Sequence, residues 1–261
     1  MKRNLKLLLL PAVFMLPAIC GPAGAIELVV PVDFALTPPG DYNRMSLTVT
    51  LLGTPDTDTA DVTGTMRADL YLDYNPATHV ATVTGIGFVK RDPPPGNLTI
   101  GDMHLSYWGG WEKIDITGLR GDLDTPSPPI AVSGGQFPFP PSPEPGHFMT
   151  LNAGLIEASG IYPYTFNLAE DPIYSRLTGA EPGTISLSEP YNIVGPQASF
   201  DATLIVPISF NEVVSENPSV TASGGGRLRG VGSFTVVPEP SSLLLLLAGL
   251  SALLCYAWQR R

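Results

Sequence analysis

Ala68-Asp69-Leu70-Tyr71-Leu72-Asp73-Tyr74 places apolar or aromatic residues at each even position and acid or tyrosine at the odd ones. A period of two marks a strand with one buried face, because successive side chains leave opposite sides of the backbone. Asn75-Pro76-Ala77-Thr78 follows with turn chemistry, and Val80-Ala81-Thr82-Val83-Thr84-Gly85-Ile86-Gly87-Phe88-Val89 resumes the pattern. The pair predicts a hairpin. Met45 to Leu51 alternates apolar and hydroxyl residues, and Phe200 to Phe210 and Gly226 to Val237 read similarly. Short strands with frequent turn residues predict an all-β fold, an antiparallel β-sandwich of jelly-roll or Ig-like type.

Composition agrees. The 261 residues include 28 prolines and 27 glycines, and proline costs roughly 3 kcal/mol inside a helix. In the body no stretch longer than about ten residues keeps a helical stripe free of both. Eight prolines fall between Thr125 and Gly146 around Gly134-Gly135. This extended segment is read either as a linker dividing the body in two or as a long loop on one domain. Arg91-Asp92-Pro93-Pro94-Pro95-Gly96 is a second, shorter proline turn, expected to be a stiff loop.

Both ends differ from the body. Lys2, Arg3 and Lys6 precede an apolar run from Leu7 to Ile19, and Ala23-Gly24-Ala25 supplies small residues before Ile26. This is the form of a secretory signal peptide over residues 1–25, cleaved after Ala25. At the other end Val237-Pro238-Glu239-Pro240 leads into an apolar segment, 243–258, and the chain finishes Gln259-Arg260-Arg261. That run is about 16 residues, roughly 24 Å of helix, a short span for a bilayer core of roughly 30 Å. Leu243 to Leu247 is apolar on every face, which favours a membrane helix over an amphipathic one. Arg260 and Arg261 belong on the cytoplasmic side as a membrane stop.

The order of Pro-Glu-Pro, apolar span and terminal Arg pair resembles the PEP-CTERM sorting signal, a tail also catalogued as an ice-binding-protein C-terminal domain. The resemblance covers residues 237–261. It implies a protein exported by the general machinery, held in the inner membrane by its C-terminal helix, cut by an exosortase near Pro-Glu-Pro, and delivered to a cell surface or matrix rich in exopolysaccharide. It implies nothing about residues 26–236, the exported β-rich body.

Charge narrows the body's partners. The chain has 14 Lys/Arg and 24 Asp/Glu. Five of those bases and one acid lie in the two ends, so the body keeps 9 against 23, a net of −14. Nucleic acid is excluded as a partner, since phosphate contact needs a basic face. The two cysteines, Cys20 and Cys255, lie in the targeting ends, so the body has no thiol chemistry and no disulfide.

Catalytic motifs are wanting. His79, His104 and His147 show no metal-ligand spacing, and there is no Gly-x-Ser-x-Gly elbow. The expectation is a non-enzymatic structural or interaction domain without a cofactor. Asp56-Thr57-Asp58-Thr59-Ala60-Asp61 is read as a solvated acidic turn; its alternating carboxylates, Asp56, Asp58 and Asp61, make Ca²⁺ the one cation to consider. Tyr107-Trp108-Gly109-Gly110-Trp111 is the only aromatic cluster. Its tryptophans are expected as core anchors on two strands joined by a Gly-Gly turn; exposed, Trp108 and Trp111 would instead stack on sugar rings, as in a carbohydrate-binding module. An exported hydrolase with an unrecognised carboxylate site is the third reading.

Overall fold

The computed structural model describes residues 25–124, 129–138, 148–176, 181–216 and 219–238. Every regular element among them is a strand, and every pairing is antiparallel. The sixteen are β1 (Ile26–Leu36), β2 (Arg44–Leu51), β3 (Thr54–Asn75), β4 (Val80–Phe88), β5 (Leu98–Ile100), β6 (Met103–Tyr107), β7 (Glu112–Asp124), β8 (Ile130–Ala131), β9 (Gln136–Phe137), β10 (Phe148–Ser159), β11 (Tyr164–Asn167), β12 (Ile173–Arg176), β13 (Gly183–Leu187), β14 (Tyr191–Val194), β15 (Gln197–Glu216) and β16 (Ser219–Val236).

The opening alternation belongs to a strand much longer than it suggested. β3 buries Ala60, Val62, Met66, Ala68, Leu70, Leu72 and Tyr74, all at even positions. Each large aliphatic side chain taken fully from water contributes about 1.5–3 kcal/mol. The predicted hairpin is present: Asn75 faces Val80 across the turn, and Asn75 Oδ1 accepts the amides of Ala77 and Thr78. The acidic run 56–61, read as a turn, lies instead within β3, paired to β2 from Leu51↔Thr54 to Arg44↔Asp61. The turn is the two-residue Leu52-Gly53 before it.

One seam explains how the first sheet stays continuous. β1 and β2 lie end to end between β3 and β16, with Leu36 facing Gly230 and Arg44 facing Arg227. Asn43 fills the gap at φ 59°, fully buried. Its Nδ2 donates to the Thr37 and Arg229 carbonyls at 2.7 and 2.9 Å, and its Oδ1 accepts the Arg229 amide at 2.7 Å. Its backbone donates to Arg227 and accepts from Val62. One side chain thus replaces the ladder where the chain leaves the sheet, as buried backbone groups require.

β15 and β16 form a long hairpin beside this seam, paired from Ala198↔Val236 to Glu216↔Ser219. Gly224-Gly225-Gly226 lies inside β16 because neighbours approach closely: a Cβ on Gly224 would come 2.6 Å from the Phe210 ring.

A second sheet holds β5, β6, β7, β10, β11 and β12, and β3 joins it at Val62–Gly64. Met45, Ile208 and Leu228 of the first sheet and Leu98, Ile100 and Met149 of the second line one small apolar gap. A single hydrophobic cluster takes residues from both sides of the proline-rich segment, and β7 pairs with β10 across it. The shorter proline turn, 91–97, is pinned to β7: buried Asp122 accepts the amides of Arg91 and Asn97 at 3.1 and 2.9 Å, and Asn152 accepts that of Gly96.

Candidate functional site

The β6–β7 hairpin closes through Trp108-Gly109-Gly110-Trp111, with φ of 50°, 71° and 94° at the first three residues and Tyr107 facing Glu112 below. Gly109 and Gly110 adopt these values freely. The Gly-Gly turn is as the sequence predicts, but the tryptophans are not core anchors. Trp111 is 73% exposed and Trp108 38%. The anchor is Tyr107, fully buried, whose hydroxyl donates to the Val49 carbonyl at 2.8 Å; burial, then the charge of Asp56, pushes that hydroxyl up to about 12. Strand alternation explains the error. Tyr107 and Glu112 take the inward positions, leaving both indoles beyond the last pair.

Neighbouring turns fix the tip. Trp108 Nε1 donates to Thr54 Oγ1 at 3.2 Å, tying it to the β2–β3 turn, where Leu52 is 47% exposed. Leu52 in turn donates its amide to the Ser219 carbonyl at the head of β16. Glu112, buried beneath the tip, accepts the amides of Ile161 and Tyr162 through Oε2 at 2.6 and 3.0 Å. That draws in the β10–β11 turn, whose Ile161 and Tyr162 are also exposed. Four hairpin ends therefore share one pole, each contributing apolar surface: Leu52, the two tryptophans, Ile161 with Tyr162, and Val213 with Val214 near the end of β15. Because these come from separate turns, no local sequence pattern announces the cluster.

The three candidate cation ligands are not brought together. Asp56 and Asp58 share one face of β3, and Asp61 points to the other, bonded to Arg44 at 3.2 Å. No group of three or more His, Cys, Asp or Glu able to hold a metal occurs among the described residues. Asp56 and Asp58 instead accept the amides of Ser106 and His104, each at 2.7 Å, which caps the β6 edge that β7 does not pair. Of the other histidines, His79 bonds the Tyr74 hydroxyl, and His147 lies outside the described residues.

Charge tunes this cap. The amides of His104 and then Thr59 lower the Asp58 carboxyl below its usual 3.8. A hydrogen bond to Asp115, aided by the charges of Asp115, Asp58 and Asp102, raises His104 above 6.5. The depressed acid stabilises the fold above its ordinary value, and that contribution disappears as pH falls through the lowered one. The raised imidazole stabilises it below 6.5, and that contribution disappears as pH rises through the raised one. Both contributions, from Asp58 against β6 and from His104 against Asp115 on β7, are fully present between 3.8 and 6.5. An NMR titration should place His104 above 6.5, returning toward it in Asp115→Asn; an unshifted imidazole in the native chain refutes the pairing.

The opposite pole holds both ends of the described β body, the start of β1 and the end of β16. Ala25 is exposed, and Ile26 begins β1 facing Tyr74. The Tyr74 hydroxyl donates to the Pro196 carbonyl, and β15 then brings Ala198 opposite Val236. Val236 is buried and is the last strand residue, while Val237 is exposed. Exposed Val80, Ile193 and Val194 occupy the same end. β16's 18 residues separate this exit from the tip by about 55 Å at roughly 3.3 Å per residue.

The described residues form an all-antiparallel β body whose last strand ends at Val236, followed by exposed Val237. The family model of the PEP-CTERM protein-sorting motif matches residues 236–261, so the chain carries that motif, which implies export and exosortase processing through a membrane-anchored intermediate. No curated protein and no solved structure matches the chain. Among the described residues no helix is long and apolar enough to cross a membrane. The expected span 243–258, the stop residues Arg260 and Arg261, the motif residues Glu239 and Pro240, and Ala23 of the signal site lie outside the described residues.

Proposed function

We infer that the chain is an exosortase substrate whose β-sandwich body serves a structural or interaction role, without catalysis, at the cell surface or in an exopolysaccharide matrix. The carrying observation is the coincidence of fold and signal: the last strand, β16, ends at Val236, and the matched motif begins at residue 236. A protease acting at Pro238-Glu239-Pro240 then works beyond the end of β16. The sandwich reading is supported by the inner residues of both sheets lining one gap. In an exosortase-positive host, Glu239→Ala should accumulate at full length in membranes, while Arg260→Ala with Arg261→Ala should let the chain slip through unanchored. Mass analysis of membrane and released fractions checks both. Normal cleavage and release of the Glu239 variant refutes the reading.

The exposure of Trp111 and Trp108 favours a second reading, in which the body is a carbohydrate-binding module using those two residues. Indole faces held clear of the core suit stacking on sugar rings.

A further inference from the structure

Five non-glycine residues among those described adopt positive φ: Asn43, Leu52, His79, Trp108 and Asn192. Asparagine and histidine tolerate that region, and bulky side chains do not. Leu52 and Trp108 are therefore the two exceptions, both at φ 50°. Each opens a hairpin turn where asparagine or glycine would fit without strain. Neither repays the strain by burial, since both side chains remain substantially exposed. They also sit on adjacent turns, joined by the bond from Trp108 to Thr54. Two local rules are broken side by side with little burial of either side chain in return, which points to residues held for a ligand.

We propose that Leu52, Trp108 and Trp111 form one two-turn platform that binds a neutral polysaccharide, an assignment that rests on the carbohydrate-binding reading and extends it to the β2–β3 turn and to a charge class. Stacked sugar rings offer apolar C–H faces to indole and leucine and keep their hydroxyls at the rim. The platform stands above Asp56, Asp58 and Asp115; of the bases on the β6–β7 hairpin Lys113 is nearest the turn, with His104 and Arg120 farther along the strands. On a body of net charge −14, anionic polymers and anionic lipid are repelled. A bilayer is further disfavoured by position, because the tip lies about 55 Å along β16 from the end that carries the anchor.

The chain has three tryptophans, and the third, Trp258, lies in the tail. In a full-length Trp258→Phe background, indole emission reports the platform alone. Soluble glucan or mannan should shift that emission to the blue and retard the protein in affinity gels, whereas alginate and phosphatidylcholine vesicles should do neither. Leu52→Asn should raise the melting temperature by about 2–4 °C while weakening glycan affinity about tenfold. Loss of binding in Trp111→Ala with unchanged affinity in Leu52→Asn overturns the two-turn platform and leaves the carbohydrate reading standing. No response to any polysaccharide overturns both. Binding to vesicles, or self-association abolished by Leu52→Asn, assigns the tip to lipid or to a second copy and overturns the glycan.

Discussion

Asn43→Ala should lower the melting temperature by about 10 °C or more. The residue is fully buried and closes the seam where β1 stops and β2 starts. Truncation strands the Thr37 carbonyl and the Arg229 amide, each bonded by Asn43 at 2.7 Å, and removes one of the bonds to the Arg229 carbonyl, which keeps the Thr37 amide at 3.0 Å. Each buried group left unpaired costs about 1–3 kcal/mol, and alanine at this positive φ adds about 1–2 kcal/mol. A total of about 4 kcal/mol or more, at about 2–4 °C per kcal/mol in a domain of this size, gives the stated shift. Asn43→Asp should be as damaging, because a carboxylate offers no donor to the two carbonyls. Thermal melts by circular dichroism decide it, and a shift under about 2 °C would mean that the seam is held by something else.

Asp122→Ala should be nearly as severe and more local. The buried carboxylate accepts two amides from the 91–97 turn, and charge-assisted bonds of this kind contribute about 1.5–3 kcal/mol each. Asn152 accepts one further amide of the turn, that of Gly96 at 2.9 Å. Gly96 lies against the Gly121 backbone so closely that a Cβ would meet it, and Arg91 reaches Asn97 at 2.7 Å. Loss of about 3–5 kcal/mol is expected, with amide exchange accelerating first at Arg91 and Asn97. Equal exchange in the native and variant chains would show that Asp122 is not the clamp.

Strand identity was readable because alternation is local: 45–51, 68–74 and all of 80–89 but Val89 fall in strands, with the turn between the last two in place. Strand length was not. β3 continues through Gly64 and back across the acidic run, where aspartates at alternating positions looked like a turn because their partners, the amides of His104 and Ser106, lie more than forty residues away. The glycine triplet hid the continuity of β16 in the same way, since its reason is the Phe210 ring on the next strand. The tryptophans were misplaced for a related cause. Burial is decided by which residue occupies the last inward pair, and Tyr107 takes it. Nothing in the sequence singled out Asn43 or Leu52, whose importance comes from backbone conformation and from distant neighbours, Arg229 and Ser219. The sorting motif, by contrast, is a linear signal read by another protein, and linear signals are what a sequence displays best.

β16 joins the two poles as one uninterrupted strand, flanked by β15 on one edge and by β1 and β2 on the other. Suppose the membrane holds Pro238 and a polymer holds the tip. Tension then enters β16 along its axis, while the ladder bonds run across it. Those bonds are loaded in shear, so they must fail together rather than one after another as in unzipping. The domain is thus strongest along the line joining its two poles, and this mechanical strength comes from strand direction rather than from any extra contact.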